Sequence, residues 1–288
     1  MIRQPRPSLR PFVGSLWASN DSRDRANAHA GAEREHAIPT GEMHLVIRLS
    51  PAPIRLFRDD DDLEGQSYGH AIVAGPRAAF HVKDVSSPVH AVGVQLHPAA
   101  ATALFGATAE HLAGRHVPLD DLWGANAATL RDELATADDD AVRLDVLERV
   151  LAQRLPRVQG VHPAVALALA RFRAGRDVGA VVEESGYSHR TLLEVFRRTM
   201  GLAPKQYSRV LRMRRVLRRI GNAPWADLAV DAGYSDQPHF VREFRAIAGV
   251  TPTEYVRAMP RHLNHVPVSP VPAPTRSDSF KTARRASR

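Results

Sequence analysis

The stretch Gly186-Tyr187-Ser188-His189-Arg190-Thr191-Leu192-Leu193-Glu194-Val195-Phe196-Arg197-Arg198-Thr199-Met200-Gly201-Leu202-Ala203-Pro204, running on to Tyr207, is written a second time further along the chain. The second copy opens with Gly233-Tyr234-Ser235-Asp236-Gln237-Pro238-His239-Phe240 and passes through Phe244 and Gly249 to Pro252 and Tyr255. Leu192, Phe196, Gly201, Pro204 and Tyr207 return as Phe240, Phe244, Gly249, Pro252 and Tyr255, each 48 positions later. Each copy reads as helix, tight turn, helix. A short apolar helix, 178–184 or 225–232, meets a glycine that can take the left-handed turn conformation, and Ser188 or Asp236 then stands where a helix N-cap belongs.

In the second helix of each copy the apolar residues lie four apart on one face, Leu192 with Phe196 and Phe240 with Phe244. These four, with Tyr187 and Tyr234, are expected in the core. The opposite face is free for a partner and carries Arg190, Leu193 and Glu194 in the first copy, and Gln237, His239 and Arg242 in the second. A helix-turn-helix places such a face in the DNA major groove, where Arg pairs with guanine and Gln with adenine.

This pair resembles the DNA-binding region of the AraC/XylS family of bacterial transcription regulators. The second copy, 229–255, carries that family's signature nearly intact in Gly233-Tyr234-Ser235-Asp236-Gln237, Phe240, Arg242, Phe244 and Gly249-Val250-Thr251-Pro252. The resemblance covers about 161–257 and implies two helix-turn-helix units joined by a long helix, here 204–220. Matched by distance from the anchor phenylalanine, the family's base-reading positions fall on Arg190, Leu193 and Glu194, and on Gln237, Pro238, His239 and Arg242. Leu193 and Glu194 depart from the long polar or basic residues often found there. Glu194 can accept from cytosine or pair with Arg190 one turn away, and Leu193 can pack or meet a thymine methyl. Arg197, Arg198 and Arg245 are expected on DNA phosphates. The resemblance implies double-stranded DNA as partner, with a small-molecule effector, RNA polymerase and a second copy of the chain as further expected partners.

Charge follows the same division. Residues 1–160 hold 17 Lys/Arg and 21 Asp/Glu, net −4, whereas 161–288 hold 22 and 10, net +12, so a polyanion partner is expected for the half with the repeat. The chain has no cysteine, hence no disulfide framework, thiol nucleophile or cysteine-ligated zinc. No apolar run approaches the ~18 residues of a membrane span, and the N-terminus, with Arg3, Pro5, Arg6 and Pro7, lacks a signal-peptide core. A cytoplasmic, nucleoid-associated protein is expected.

The N-terminal half begins with short strand-like runs at 12–18, 43–49, 54–57, 70–74, 78–82 and 89–96, rich in β-branched or aromatic residues and bounded by Gly, Pro or Asp. The acidic run Asp59 to Asp62 reads as a solvated hairpin tip, because the spaced ligands and closing Glu of a calcium loop are missing. The period then changes to that of helices at 98–105, 109–113, 126–135 and 140–155. This half resembles, more weakly, the sensor domains of the same family, through Gly75-Pro76, Gln95-Leu96-His97-Pro98 and Asp121-Leu122-Trp123-Gly124. That resemblance implies a cupin-like barrel that holds a small effector, dimerises, or does both.

The expected fold class is therefore α+β: an N-terminal β-rich cupin-like barrel with appended helices over 1–155, a linker over 156–163, an all-α double helix-turn-helix domain over 164–260, and a disordered basic tail over 261–288. Nothing specific supports catalysis. His-x-His metal pairs are absent, and His36 with His44 or His111 with His116 are weak substitutes. Val13-Gly14-Ser15-Leu16 is no nucleophile elbow, and no glycine loop with a lysine cradles phosphate. Catalytic residues, metal ligands and cofactors are expected to be none, and effector-contacting residues are not identified at this level.

Overall fold

The computed structural model describes residues 1–20, 33–155, 161–221 and 224–268; residues 156–160 of the expected linker and the tail from 269 onward lie outside them. Eleven strands in the described residues form two antiparallel sheets. The first joins β1 (Ile2–Arg3), β2 (Val13–Asn20), β4 (Met43–Arg48), β7 (Ala71–Ala74), β9 (His90–Leu96) and β10 (His116–Pro118) in the order β1-β2-β9-β4-β7-β10. The second joins β3 (Arg34–Ala37), β5 (Arg55–Phe57), β6 (Gln66–Ser67), β8 (His81–Asp84) and β11 (His265–Val268) in the order β11-β3-β8-β5-β6.

Strand alternation sorts the first sheet's side chains onto two faces. Leu16, Leu45, Ile47, Val73, Val92, Val94 and Leu96 turn toward helices α1 (Ala101–Phe105), α3 (Leu119–Trp123), α4 (Ala125–Thr136) and α5 (Asp140–Arg154), whose Leu104, Trp123, Leu130, Leu144, Leu147 and Leu151 close that core. Val46 and Ile72 face the other way, onto Ile54 and Leu56 next to the second sheet. The expected barrel is not closed. Among the described residues no strand of one sheet pairs with a strand of the other, and the edge strands β1, β6 and β10 have only two or three residues each, too short to bridge the gap.

Most expected strands appear within two residues of their predicted ends, but the one predicted at 78–82 lies at 81–84. The reason is tertiary: the Phe80 N–H donates to the Ile247 carbonyl (2.8 Å) in the C-terminal half, so its backbone is engaged outside any ladder.

The C-terminal helices are α6 (Pro163–Arg173), α7 (Val178–Ser185), α8 (His189–Met200), α9 (Pro204–Leu217), α10 (Trp225–Asp231), α11 (Gln237–Ala248) and α12 (Pro252–Ala258). They build two cores. Val165, Ala168, Phe172, Val181, Leu192, Phe196 and Tyr207 form the first. Met213, Val216, Tyr234, Phe240, Phe244, Ile247 and Tyr255 form the second, which also takes in Ile38 from the N-terminal half and Val266 from β11.

Two expectations are corrected here. A disordered tail was expected from 261, yet 265–268 is strand β11, antiparallel to β3. Val266 is fully buried and completes the second core, while Pro267 is tolerated because β11 lies at the sheet edge, where no outer neighbour needs its missing N–H. Tyr187 was expected in the core with Tyr234, yet it is 39% exposed and packs edge-on to His162 at 5.5 Å. Tyr234 rests on the Phe240 ring at 5.2 Å, with the Arg212 guanidinium 5.1 Å from its own ring. The first unit has Leu192 where the second has Phe240, so Tyr187 has no ring there to stack on.

Candidate nucleic-acid interface

The turns that aim α8 and α11 form as the residues dictate. Gly186 and Gly233 sit at φ +70° and +75°, a left-handed conformation that side-chain-bearing residues resist. Ser188 Oγ then accepts from the Thr191 N–H (3.1 Å), and Asp236 Oδ1 accepts from the His239 N–H (2.6 Å), capping the two helices. That backbone donor, first among several, holds the Asp236 carboxyl below its ordinary range. The helix before each turn is capped differently: Asp177 accepts from the Ala180 N–H (2.9 Å), whereas α10 begins at Trp225 without a side-chain cap.

Of the seven positions expected to read bases, Arg190, Glu194, Gln237, Pro238 and Arg242 are exposed, and Leu193 and His239 are half-buried. Among the described residues no ion pair joins Glu194 to Arg190. His239 is not a free arm. Its Nδ1 lies 3.1 Å from Ser235 Oγ and its ring stands edge-on to Tyr234 at 5.5 Å, so the ring is tied into its own turn. Arg198 and Arg245 are exposed and make no ion pair among the described residues. Arg197 is different: its Nε lies 2.9 Å from Glu110 Oε1 on α2 (Ala109–Leu112) in the N-terminal half.

Glu243 was not foreseen. It is buried in α11, and its Oε2 accepts from Arg209 Nε (3.0 Å) on α9, tying the connecting helix to the second unit. Its place one turn before Ile247, on the buried side of α11, is the signal that could have singled it out, because a buried carboxylate requires a partner. With 14 residues, α9 spans roughly 21 Å between the two units.

Both units meet the N-terminal half at the C-terminal ends of α8 and α11. Gly201 (φ +72°) abuts Pro76 and the Ala109 carbonyl; Gly249 (φ +80°) abuts His36 and Phe80. Around Gly249, His36 Nδ1 donates to the Ala248 carbonyl (3.1 Å), and the His36 ring stacks on Phe80 at 4.4 Å. Arg214 on α9 donates to the Thr40 carbonyl (3.0 Å).

The histidines weighed as metal pairs have other contacts. His36 Nε2 lies 2.5 Å from Asp60, His44 Nε2 lies 3.0 Å from Thr40 Oγ1, and His111 Nδ1 lies 3.0 Å from Thr108 Oγ1. Among the described residues no group of three or more metal-ligating side chains gathers. The acidic run does shape a turn, with Asp59 Oδ1 accepting from the N–H groups of Asp61 (3.1 Å) and Asp62 (3.0 Å). No helix among the described residues is long and apolar enough to cross a membrane.

A family model described as a helix-turn-helix domain matches residues 181–258, and one described as a domain of unknown function matches residues 2–118. No curated protein matches the chain. Among solved structures, the C-terminal domain of AraT, a response regulator from Geobacillus stearothermophilus, is 21% identical, with 34% of this chain and 88% of that one covered at a TM-score of 0.33. An AraC-type transcriptional regulator from Chromobacterium violaceum is 23% identical, with 32% and 88% covered at 0.30. ToxT from Vibrio cholerae is 10% identical, with 84% and 98% covered at 0.42. The matched 181–258 segment contains both copies of the repeat and both capped turns, so this part of the chain is a helix-turn-helix domain.

Proposed function

We propose that the chain recognises a two-part DNA site sequence-specifically, α8 and α11 entering successive major grooves on one face of the duplex, and that the N-terminal half modulates this binding in response to a small effector. The observation that carries the reading is the division of each recognition helix. Its C-terminal end is held against the N-terminal half through Gly201 or Gly249, while Arg190 and Glu194, or Gln237 and Arg242, stand exposed toward its N-terminal end. The helix end that reads base edges is thus accessible while the other end is held.

Arg242 and Gln237 are the principal readers of the second unit, Arg190 and Glu194 of the first, with Pro238 and Leu193 as apolar contacts and His239 as a buttress of the turn. Arg198 and Arg245 hold phosphates, and Arg197 does so once Glu110 releases it. An effector acts here by binding one arrangement of the two halves better than another.

Selection of the full-length protein on a random duplex library at near-physiological salt tests the reading. Two short boxes about ten base pairs apart are the expected outcome. A single box would restrict base reading to one unit, and an unenriched library would overturn sequence specificity.

A further inference from the structure

Beside the small apolar cluster between the sheets opens a cleft of about 890 Å³, within the size range of small-molecule sites. Leu56, Phe57 and Phe80 form an apolar wall, and Arg77, His81 and His116 stand opposite. Three polar atoms of this group are buried without a hydrogen-bond partner: Arg77 Nε, His81 Nδ1 and His116 Nε2. Native structures rarely leave such atoms unsatisfied, and three gathered in the lining of one cleft make it a place suited to a polar partner.

Their chemistry says what kind. Arg77 Nη2 lies 3.4 Å from His116 Nδ1 and also donates to the Arg115 carbonyl (3.3 Å). A guanidinium only donates, so His116 Nδ1 accepts and its proton sits on the unpartnered Nε2. Burial draws His116 down to about 3 and His81 well below its ordinary value, so both rings are neutral. Arg77, drawn down by burial to about 10, keeps its charge at neutral pH, and among the described residues no carboxylate pairs with it. The cleft thus presents the uncompensated Arg77 cation beside one neutral N–H donor, with a second guanidinium that is unpaired among the described residues, the exposed Arg115, also in its lining. Acidic residues line it too: Asp62 is engaged by Arg58 and by the N–H of Gly65, while Glu64 and Asp121 are exposed. Those carboxylates disfavour a polyanion such as a nucleotide, and a single negative charge with an apolar body suits the lining best.

We propose that this cleft binds a small organic carboxylate, its charged head toward the Arg77 guanidinium and the His116 ring, whose covered Nε and Nε2 open to it on binding, and its apolar body along Phe57 and Phe80. The proposal deepens the effector-modulated reading and rests on it for its consequence. Phe80 forms part of the cleft wall, donates its N–H to Ile247 and stacks on His36, so an occupant of the cleft touches the residue on which the second helix-turn-helix unit is seated.

The test uses the full-length protein and titrates benzoate and octanoate against benzamide and octanamide by calorimetry and saturation-transfer NMR. At least one acid is expected to bind about tenfold or more tightly than its amide, and Arg77→Gln to abolish that difference. The acid-to-amide comparison needs no substitution, so it stands even where Arg77→Gln folds poorly. Equal binding of acids and amides, equal binding to the wild type and Arg77→Gln, or no acid binding at about 10 mM would each overturn the proposal. Duplex selection on the same preparations separates the two readings. Protein that enriches a duplex yet ignores carboxylates loses only this proposal, whereas protein that binds carboxylates yet enriches no duplex loses the DNA-reading one.

Discussion

Replacing Gly249 by alanine tests whether the second helix-turn-helix unit is seated on the N-terminal half as described. Two effects combine at this position. The backbone is left-handed at φ +80°, which costs a residue with a Cβ about 1–2 kcal/mol. The added Cβ would also stand 2.6 Å from His36 Cε1 and 2.8 Å from Phe80 Cε2, closer than carbon atoms approach, and neither ring is free to swing away. His36 is held by the Ala248 carbonyl and Asp60, and the Phe80 ring lies stacked on it at 4.4 Å while the Phe80 N–H is bonded to Ile247. The contact must therefore open, and loss of the bonds from His36 and Phe80 to α11 adds about 2 kcal/mol at roughly 1 kcal/mol each. Gly233→Ala is the matched control: its φ is +75° and a Cβ there meets nothing within 4 Å, so strain alone remains. Urea unfolding of the full-length variants should place Gly249→Ala about 3–4 kcal/mol below the wild type and Gly233→Ala only about 1–2 kcal/mol below. Equal losses for the two would refute the seating of α11 on His36 and Phe80.

Other consequences can be measured on the same protein. Arg242→Ala should cost about 1–3 kcal/mol on the selected duplex and relax preference at one base pair, while Arg198→Ala weakens all duplexes alike; anisotropy titrations over single-base variants check this, and identical patterns would remove the distinction between reader and clamp. Glu110→Gln frees Arg197, so the plot of log affinity against log salt should steepen by about 0.9 if Arg197 then reaches a phosphate; unchanged slope and affinity would exclude that contact. Val266→Ala should lower stability by about 1–3 kcal/mol in urea unfolding, because the side chain is fully buried in the second unit's core. Acid should destabilise the chain before its carboxylates titrate: His44 and His116 are drawn down by burial to about 4 and about 3, so below about pH 6.5 the unfolded chain takes up protons that the folded one refuses, and stability falls from there toward pH 4. His116→Gln should flatten that slope in urea midpoints taken between about pH 7 and pH 5.

The double helix-turn-helix was legible because its determinants are local. Ser188 and Asp236 cap within three residues, Gly186 and Gly233 turn without help from neighbours, and Leu192, Phe196, Phe240 and Phe244 mark the buried face by spacing alone. What escaped depends on contacts between distant segments. The run 265–268 is too short and too rich in proline to announce a strand, and it becomes one because β3 offers an open edge and the second core has room for Val266. The strand expected at 78–82 is displaced by one hydrogen bond to Ile247, far away in sequence. Open sheets in place of a barrel follow from edge strands whose brevity alternation does not reveal.

The same long-range contacts bear on how the two halves communicate. Ile38 and Val266 lie in the second unit's core, while the first unit's core packs on Ala78, its Tyr207 lies against Gly41, and Gly201 and the Arg197–Glu110 ion pair add to that contact, so both units share packing with the N-terminal half. A shift of the second unit must disturb buried apolar surface and the β11–β3 ladder, and a shift of the first must part the packing of Ala78 and Gly41 together with the exposed ion pair. Exposed ion pairs contribute little and buried side chains contribute much, so apolar packing rather than the Arg197–Glu110 pair sets what moving either unit costs. On the reading proposed above, an occupant of the cleft meets Phe80 and so acts first on the second unit, which carries Gln237 and Arg242.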